Sequence, residues 1–499
     1  MKGGIALLFN SFEFLIFFPT VVTIYFLLPH RWRWLFLLGA SYYFYMSWKI
    51  EYILLIIFST IVDYVVGIQL GKTSEPLRRK LYLALSLTVN LGVLFTFKYF
   101  NFFRDSLNEV FNYVDAPYSA PYLDLLLPVG ISFYTFQTLS YTIDVYRGKK
   151  EPERHFGIFA LYVAFFPQLV AGPIERATRL LPQFYKPHRF DYERVVSGLQ
   201  LIMWGFFKKL VIADRLAVMV NMVYNDATQY SGFPLILATY LFAFQIFCDF
   251  SGYSDIAIGA ARIMGIDLML NFRQPYFAQS ISEFWKRWHI SLSTWFRDCL
   301  YIPLGGNRVT LWRWQLNLLI VFLVSGLWHG ANWTFVIWGA LHGGYLIAEI
   351  WLSMLWGKLS HFFDYKKWGG QASPLSRIKI LSILKILIVF HLVVFAWIFF
   401  RANSISDAFY IVQHLLVFKP AQSLAYTVNV LFPRNDLLVA LLAIIMMESI
   451  HFVQERGDIW QFLKPKPIYL RWAFYYVIFF MLIFLGEFSS HEEFVYFQF

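Results

Sequence analysis

Apolar and polar positions alternate along this chain in blocks rather than residue by residue. Mainly apolar stretches lie near residues 5–28, 33–48, 51–70, 81–103, 122–145, 156–172, 195–224, 233–264, 314–330, 332–355, 378–400, 436–453 and 470–488. A helix that crosses the hydrocarbon of a bilayer needs about 17–25 such residues. The pattern therefore predicts an all-α polytopic membrane protein with roughly 11–13 transmembrane or re-entrant helices. The run 314–355 is interrupted by "HGAN" (329–332) and reads as two helices that meet there. The longest polar stretches are 173–194, 271–313 and 357–377. No fixed-period repeat, low-complexity linker or separate soluble domain is visible, so residues 1–499 read as one integral membrane domain. The first apolar stretch, from Ile5 to Leu28, has no small-residue cleavage site before the next charged turn. It reads as a retained helix rather than a signal peptide.

The block 271–313 breaks the pattern. In "ISEFWKRWHISLSTWFRD" (281–298), Phe284, Trp285, Trp288, Leu292, Trp295 and Phe296 fall on one stripe at helical spacing, with Lys286, Arg287, Ser293, Thr294, Arg297 and Asp298 elsewhere. This predicts a single amphipathic helix, tryptophan-lined on its apolar side and suited to the membrane interface. His289 sits at the edge of the stripe beside Trp288. "YIPLGGNR" (301–308) then forces a turn, through Pro303 and the Gly305–Gly306 pair. The next apolar run ends in "SGLWHGANW" (325–333), which carries His329.

Composition supports the membrane reading. Hydrophobic residues make up 59% of the chain and charged ones 15%, against about 25% charged in a soluble domain. The net charge of +11 is spread over short connectors such as "GKTSEPLRRK" (71–80) and "RGKKEPER" (147–154). That placement is usual for loops beside anionic lipid, and no basic tail points to nucleic acid. Cys248 and Cys299 have no CxxC spacing and give neither a disulfide framework nor a metal site. "GIQLGKT" (67–73) is one residue short of a phosphate-binding loop. Asp63, Asp144, Asp249, Asp255, Arg262, His329, His342, Glu349, Glu448 and Glu487 lie in or beside apolar segments. Ionisable groups there are costly, so each is either paired structurally or functional.

Two histidines, His289 and His329, flank the turn. An imidazole with an ordinary pKa near 6.5 takes a proton from a hydroxyl near neutral pH. Kept from water, it does so without hydrolysis of an acyl donor. Acyl transfer from a thioester to an alcohol needs such a base and dryness, and no metal. Two histidines without a carboxylate at ligand spacing make a poor zinc site. By spacing alone, packing against tryptophans or a bond to a backbone carbonyl is the simpler account of both histidines.

"FWKRWHISLSTWFRDCLYIPLGGNR" (284–308) followed by "SGLWHGANWTFVIWGALHG" (325–343) resembles the membrane-bound O-acyltransferase family, most of all its bacterial alginate O-acetylation branch. Relatives act in cellulose and peptidoglycan acetylation, and teichoic-acid D-alanylation uses a more distant member. "PVGISFYTFQTLSYTIDVYRG" (128–148), "FFPQLVAGPIER" (165–176), "FCDFSGYSDIAIGAARIMGI" (247–266), "WIFFRA" (397–402) and "FVYFQF" (494–499) extend the similarity along nearly the whole chain.

The resemblance implies a ring of helices around a central funnel, with 271–345 as the catalytic core segment. His329 matches the family's nearly universal buried histidine, and His289 matches a second polar position. Trp328 and Asn332 are expected as polarising donors. With Trp285, Arg297 and Asp298 they complete the expected substrate-binding set. No cofactor is expected to be held permanently. The donor expected is acetyl-CoA or an acyl carrier, reached from the cytosol. The acceptor expected is a secreted or cell-surface polysaccharide, served through an extracytoplasmic partner of the SGNH type. Membrane lipid completes the surroundings, in a bacterial inner (cytoplasmic) membrane. Cys299 and Cys248 depart from the aromatic residues usual at their positions in the family. Other envelope polymers, a polytopic transporter without chemistry, and a scaffold that recruits a soluble acetyltransferase are the rival readings.

Overall fold

A computed structural model describes residues 7–116, 120–362, 374–457, 459–488 and 494. Among these residues the regular structure is helical, with no strand. Hydrocarbon offers no partner for backbone N–H and C=O groups, and a helix satisfies both within itself. The chain is an all-α polytopic membrane protein, and nine helices among the described residues are long and apolar enough to span.

The chain packs as two compact units. The first comprises residues 7–206 and 250–270. It begins with α1 (Phe12–Leu27), α2 (His30–Met46), α3 (Ile53–Lys72) and α4 (Pro76–Tyr113), followed by α5 (Ile131–Tyr146) and α6 (Phe156–Ala164). Three predicted spans, 5–28, 122–145 and 156–172, are clearly shorter than the apolar pattern implied. Helix α5 starts at residue 131 because Gly130 sits in a left-handed turn (φ 74°) behind Pro128. Helix α6 stops at Ala164, ahead of Phe165 and Pro167. Helix α1 has 16 residues. Asp63, fully buried on α3, accepts hydrogen bonds from Ser86 Oγ (2.5 Å), Asn90 Nδ2 (3.0 Å) and Thr142 Oγ1 (3.2 Å). A charged residue predicted to stand inside an apolar segment thus ties α3, α4 and α5 together through neutral donors.

Two long helices, α7 (Tyr192–Tyr224) and α8 (Phe233–Ile263), each start in one unit and end in the other. The second unit comprises residues 207–249 and 271–488. It holds the short helices α9 (Ile281–Arg287) and α10 (Ile290–Phe296), then α11 (Leu311–His329), α12 (Trp333–Phe362) and α13 (Pro374–Arg401). Helices α14 (Arg434–Gln454) and α15 (Ile468–Leu485) close the chain. Within this unit Lys209 pairs with both Asp214 and Asp249, at 2.7 Å each, so that buried cation is matched inside the protein. Large apolar side chains such as Leu352 and Phe484 stay exposed on the spanning helices, as lipid-facing positions do.

Helices α11 and α12 form the closest pair. A Cβ at Gly326 would stand 2.2 Å from the Phe335 carbonyl oxygen, and one at Gly339 2.2 Å from that of Phe322. The two backbones touch where neither residue has a side chain, which is how small residues let helices approach in lipid. Gly326→Ala and Gly339→Ala should each destabilise this unit by about 1–3 kcal/mol, the usual cost of overpacking. Thermal unfolding of the purified protein in detergent measures it, with Gly344→Ala, where nothing lies within 4 Å, as the control.

Candidate functional site

The predicted single helix over 281–298 is two helices. Ser280 opens α9 by accepting the Glu283 N–H (3.0 Å). Glu349, from α12, accepts the N–H groups of Ile281 (2.8 Å) and Ser282 (3.2 Å). The helix stops at Trp288, whose backbone is extended, and His289 takes a left-handed conformation (φ 43°, ψ 55°) before α10 begins. A side chain with a Cβ is rare there and costs of order 1 kcal/mol. The segment 271–273 holds the break open: Arg273 N–H donates to the Arg287 carbonyl and Ile290 N–H to that of Asn271, both at 2.9 Å. The Asn271 side chain accepts from Ser291 Oγ at 2.6 Å. The break turns the apolar stripe inward, so Phe284, Trp285, Trp288, Trp295 and Phe296 pack in the protein instead of lying along the interface.

His289, fully buried, comes within 6.2 Å of the His329 ring, measured between centroids. His329 is the last residue of α11, and Gly330 follows with extended backbone. A Cβ at Gly330 would stand 2.1 Å from the Phe335 ring, so only glycine fits between the two helices. Trp328 packs 5.0 Å from His329 and 5.9 Å from His289. Trp338 and Phe400 stand edge-to-face with His329 at 5.0 and 5.3 Å, and Trp397 stacks on Trp338. Burial in this aromatic wall pushes the His289 imidazole down from its ordinary value to about 3. It is therefore neutral near pH 7.

The other predicted site residues separate into two groups. Trp285 and Arg297 line an open cleft of about 710 Å³, together with Ile290 and Ser325, neighbours of the two histidines along the chain. Asp298 pairs with Arg297 at 2.8 Å and is not part of that lining. Asn332 caps α12, its Oδ1 accepting the Thr334 N–H at 3.0 Å, and its Nδ2 reaches the Asn403 carbonyl at 3.4 Å. Both groups of that side chain are thus engaged away from the histidines. Sequence reading had placed His342 only among the buried ionisable residues, yet it accepts the Trp285 indole N–H at 3.3 Å. The Trp338–His342 spacing of one helical turn was the available signal. Among the described residues no three His, Cys, Asp or Glu side chains stand together as a metal site.

The second unit thus presents an all-helical membrane protein with a buried pair of imidazoles, walled by tryptophans, beside an open cleft. Residues 155–396, which contain both histidines, match the membrane-bound O-acyltransferase family. The chain is 41% identical to the probable alginate O-acetylase of Pseudomonas aeruginosa, over 82% of this chain and 74% of that protein. It is 35% identical to the peptidoglycan O-acetyltransferase of Helicobacter pylori, over 82% and 80%. With the teichoic acid D-alanyltransferase of Streptococcus thermophilus it shares 32%, over 55% and 68%. The chain belongs to the membrane-bound O-acyltransferase family and is an O-acyltransferase.

The depressed pKa of His289 has a consequence for stability. Unfolded, its imidazole titrates near 6.5; folded, near 3. Between those values the unfolded chain binds the extra proton, so acid destabilises the fold, and above pH 6.5 the effect is absent. The difference in unfolding free energy between the wild type and His289→Gln should change by up to about 1.4 kcal/mol per pH unit over that window. Detergent unfolding followed from pH 7 to pH 4 reads it, and a pH-independent difference would contradict the buried neutral state.

Proposed function

We infer that this enzyme moves an acetyl group from a cytosolic thioester, acetyl-CoA or an acyl carrier, toward hydroxyls of a secreted or cell-surface polysaccharide. The observation that carries the chemistry is the 6.2 Å juxtaposition of His289 and His329 inside an aromatic wall. The similarity to the alginate O-acetylase supports an alginate-like polymer as final acceptor. An SGNH-type extracytoplasmic partner hands the group on, and the protein resides in the bacterial inner membrane.

In this reading His329 is the general base. It takes the proton of the acceptor hydroxyl as the oxygen attacks the thioester carbonyl. The C–O bond forms, the C–S bond breaks, and the proton passes to the departing thiolate. His289, neutral through burial, supplies a hydrogen-bonding imidazole that orients donor or acceptor without adding a second positive charge. The surrounding Trp328, Trp338 and Phe400 rings exclude water, which would otherwise compete for the acyl group. Trp328, in contact with both imidazoles, is the better placed of the two expected polarising donors, because Asn332 is occupied at the start of α12.

His329→Ala and His329→Gln should each lower acetyl transfer by at least about 10³-fold while the protein still inserts and accumulates, the scale expected when a general base is lost from a preorganised site. His289→Ala should cost about 10–10²-fold. Transfer of label from acetyl-CoA by the purified protein, and acetyl content of the polymer in cells, are the measurements. Normal acetylation in the His329 variants would remove it from the chemistry. Label that appears on peptidoglycan instead of an alginate-like polymer would reassign the acceptor.

A further inference from the structure

We propose that His342 is a positioning residue of the acyl transfer, holding the Trp285 wall of the cleft and bracing Trp338 against His329. Its side chain is fully buried on α12, and its Nδ1 accepts the Trp285 indole N–H. A neutral imidazole that accepts at Nδ1 carries its proton on Nε2. Among the described residues Nε2 is buried without a hydrogen-bond partner. The position thus retains an imidazole although half of its hydrogen-bonding capacity is unused. A phenylalanine would fill the same space but would leave the Trp285 N–H unpaired, and a leucine would also lose the ring contacts.

Those contacts run in two directions. Toward the cleft, His342 lies parallel to Phe284 (6.2 Å, 6°) and close to Phe322 and Trp285, the latter two lining the cleft. Toward the histidine pair, it stands 4.9 Å from Trp338, which in turn stands 5.0 Å from His329. Trp338 and His342 are four residues apart on one helix, so their relative placement is rigid. His342 therefore touches both the cleft wall and a ring that touches His329, and it packs against Trp285 and Trp338 where those two rings also meet each other, at 5.7 Å. It acts through Trp285 and Trp338, and nothing in the geometry brings it to the reacting atoms.

The test uses the full-length purified protein, together with its SGNH-type partner, labelled acetyl-CoA and alginate oligosaccharide. His342→Leu and Trp285→Phe should each raise the KM of one substrate by about tenfold and leave kcat within about threefold. The double variant should be no worse than either single, because both remove the same hydrogen bond. His342→Asn, which keeps an acceptor near the Nδ1 position, should recover most of the loss. Additive effects, a loss confined to kcat, or failure of Asn to rescue would each overturn the proposal.

The kinetic arm rests on the donor and acceptor proposed above, so a second readout separates the two ideas. Ser293 lines the cleft. In a Cys248→Ala/Cys299→Ser background, maleimide alkylation of Ser293→Cys should speed up about fivefold or more when His342→Leu frees Trp285, and return toward the starting rate with His342→Asn. An unchanged rate would overturn the proposal even where turnover is lost. No turnover by the wild type, with the alkylation pattern as expected, would instead count against the acetyl-CoA donor.

Discussion

The second unit depends on a backbone contact, the crossing of α11 and α12 at Gly326 and Gly339. Each glycine lies against a carbonyl of the other helix, so the two axes approach as closely as peptide groups allow. Gly326 is three residues before His329, and Gly339 directly follows Trp338. The crossing thus sets the edge-to-face contact between the histidine and the indole. Gly330 extends the same logic by one turn of space: the chain leaves α11 over the face of Phe335, where no side chain fits. Hydrophobic collapse alone would not fix this geometry in lipid, where apolar surfaces have little to gain from leaving one apolar medium for another. Close packing of small residues does fix it.

The opposite wall is fixed by polar chemistry. Helices α9 and α10 are one turn or two each, too short to hold together unaided. The start of α9 is instead capped by Ser280 and Glu349, and the break between the two helices is paired with residues 271–273. Glu349 comes from α12, so the helix that carries Trp338 also anchors the start of the segment that carries His289. The left-handed backbone at His289 is the local cost of directing that imidazole inward. A continuous helix would have left it on the edge of the apolar stripe.

This explains what was legible in the sequence and what was not. The spans could be read because long apolar runs in lipid have few alternatives to a helix, and the break at "HGAN" could be read because it interrupts one. The helix over 281–298 was misread because its stripe is genuine: the same apolar residues pack inward when the helix is broken at 288–289, and periodicity carries no information about such a break. Asn271 and Arg273, upstream in the chain, supply the partners that hold the break. Asn332 was expected as a polarising donor, and the start of a helix offers it an N–H to accept, which local sequence near His329 does not announce. The Trp285–His342 hydrogen bond joins residues 57 apart, a pairing that no local pattern encodes.

In the proposed mechanism the two imidazoles take different roles, because burial keeps one of them neutral. His289, whose burial disfavours the protonated form, stays neutral. A proton accepted at His329 therefore meets no like charge from its partner. It meets the Trp328, Trp338 and Phe400 rings, which stand 5.0, 5.0 and 5.3 Å from the His329 ring. The same rings keep out the water that would screen such a charge and hydrolyse the donor. Dryness, one neutral imidazole and an aromatic surround thus serve a single end. They make the proposed base usable at a buried site, where a carboxylate pair would bring larger desolvation costs.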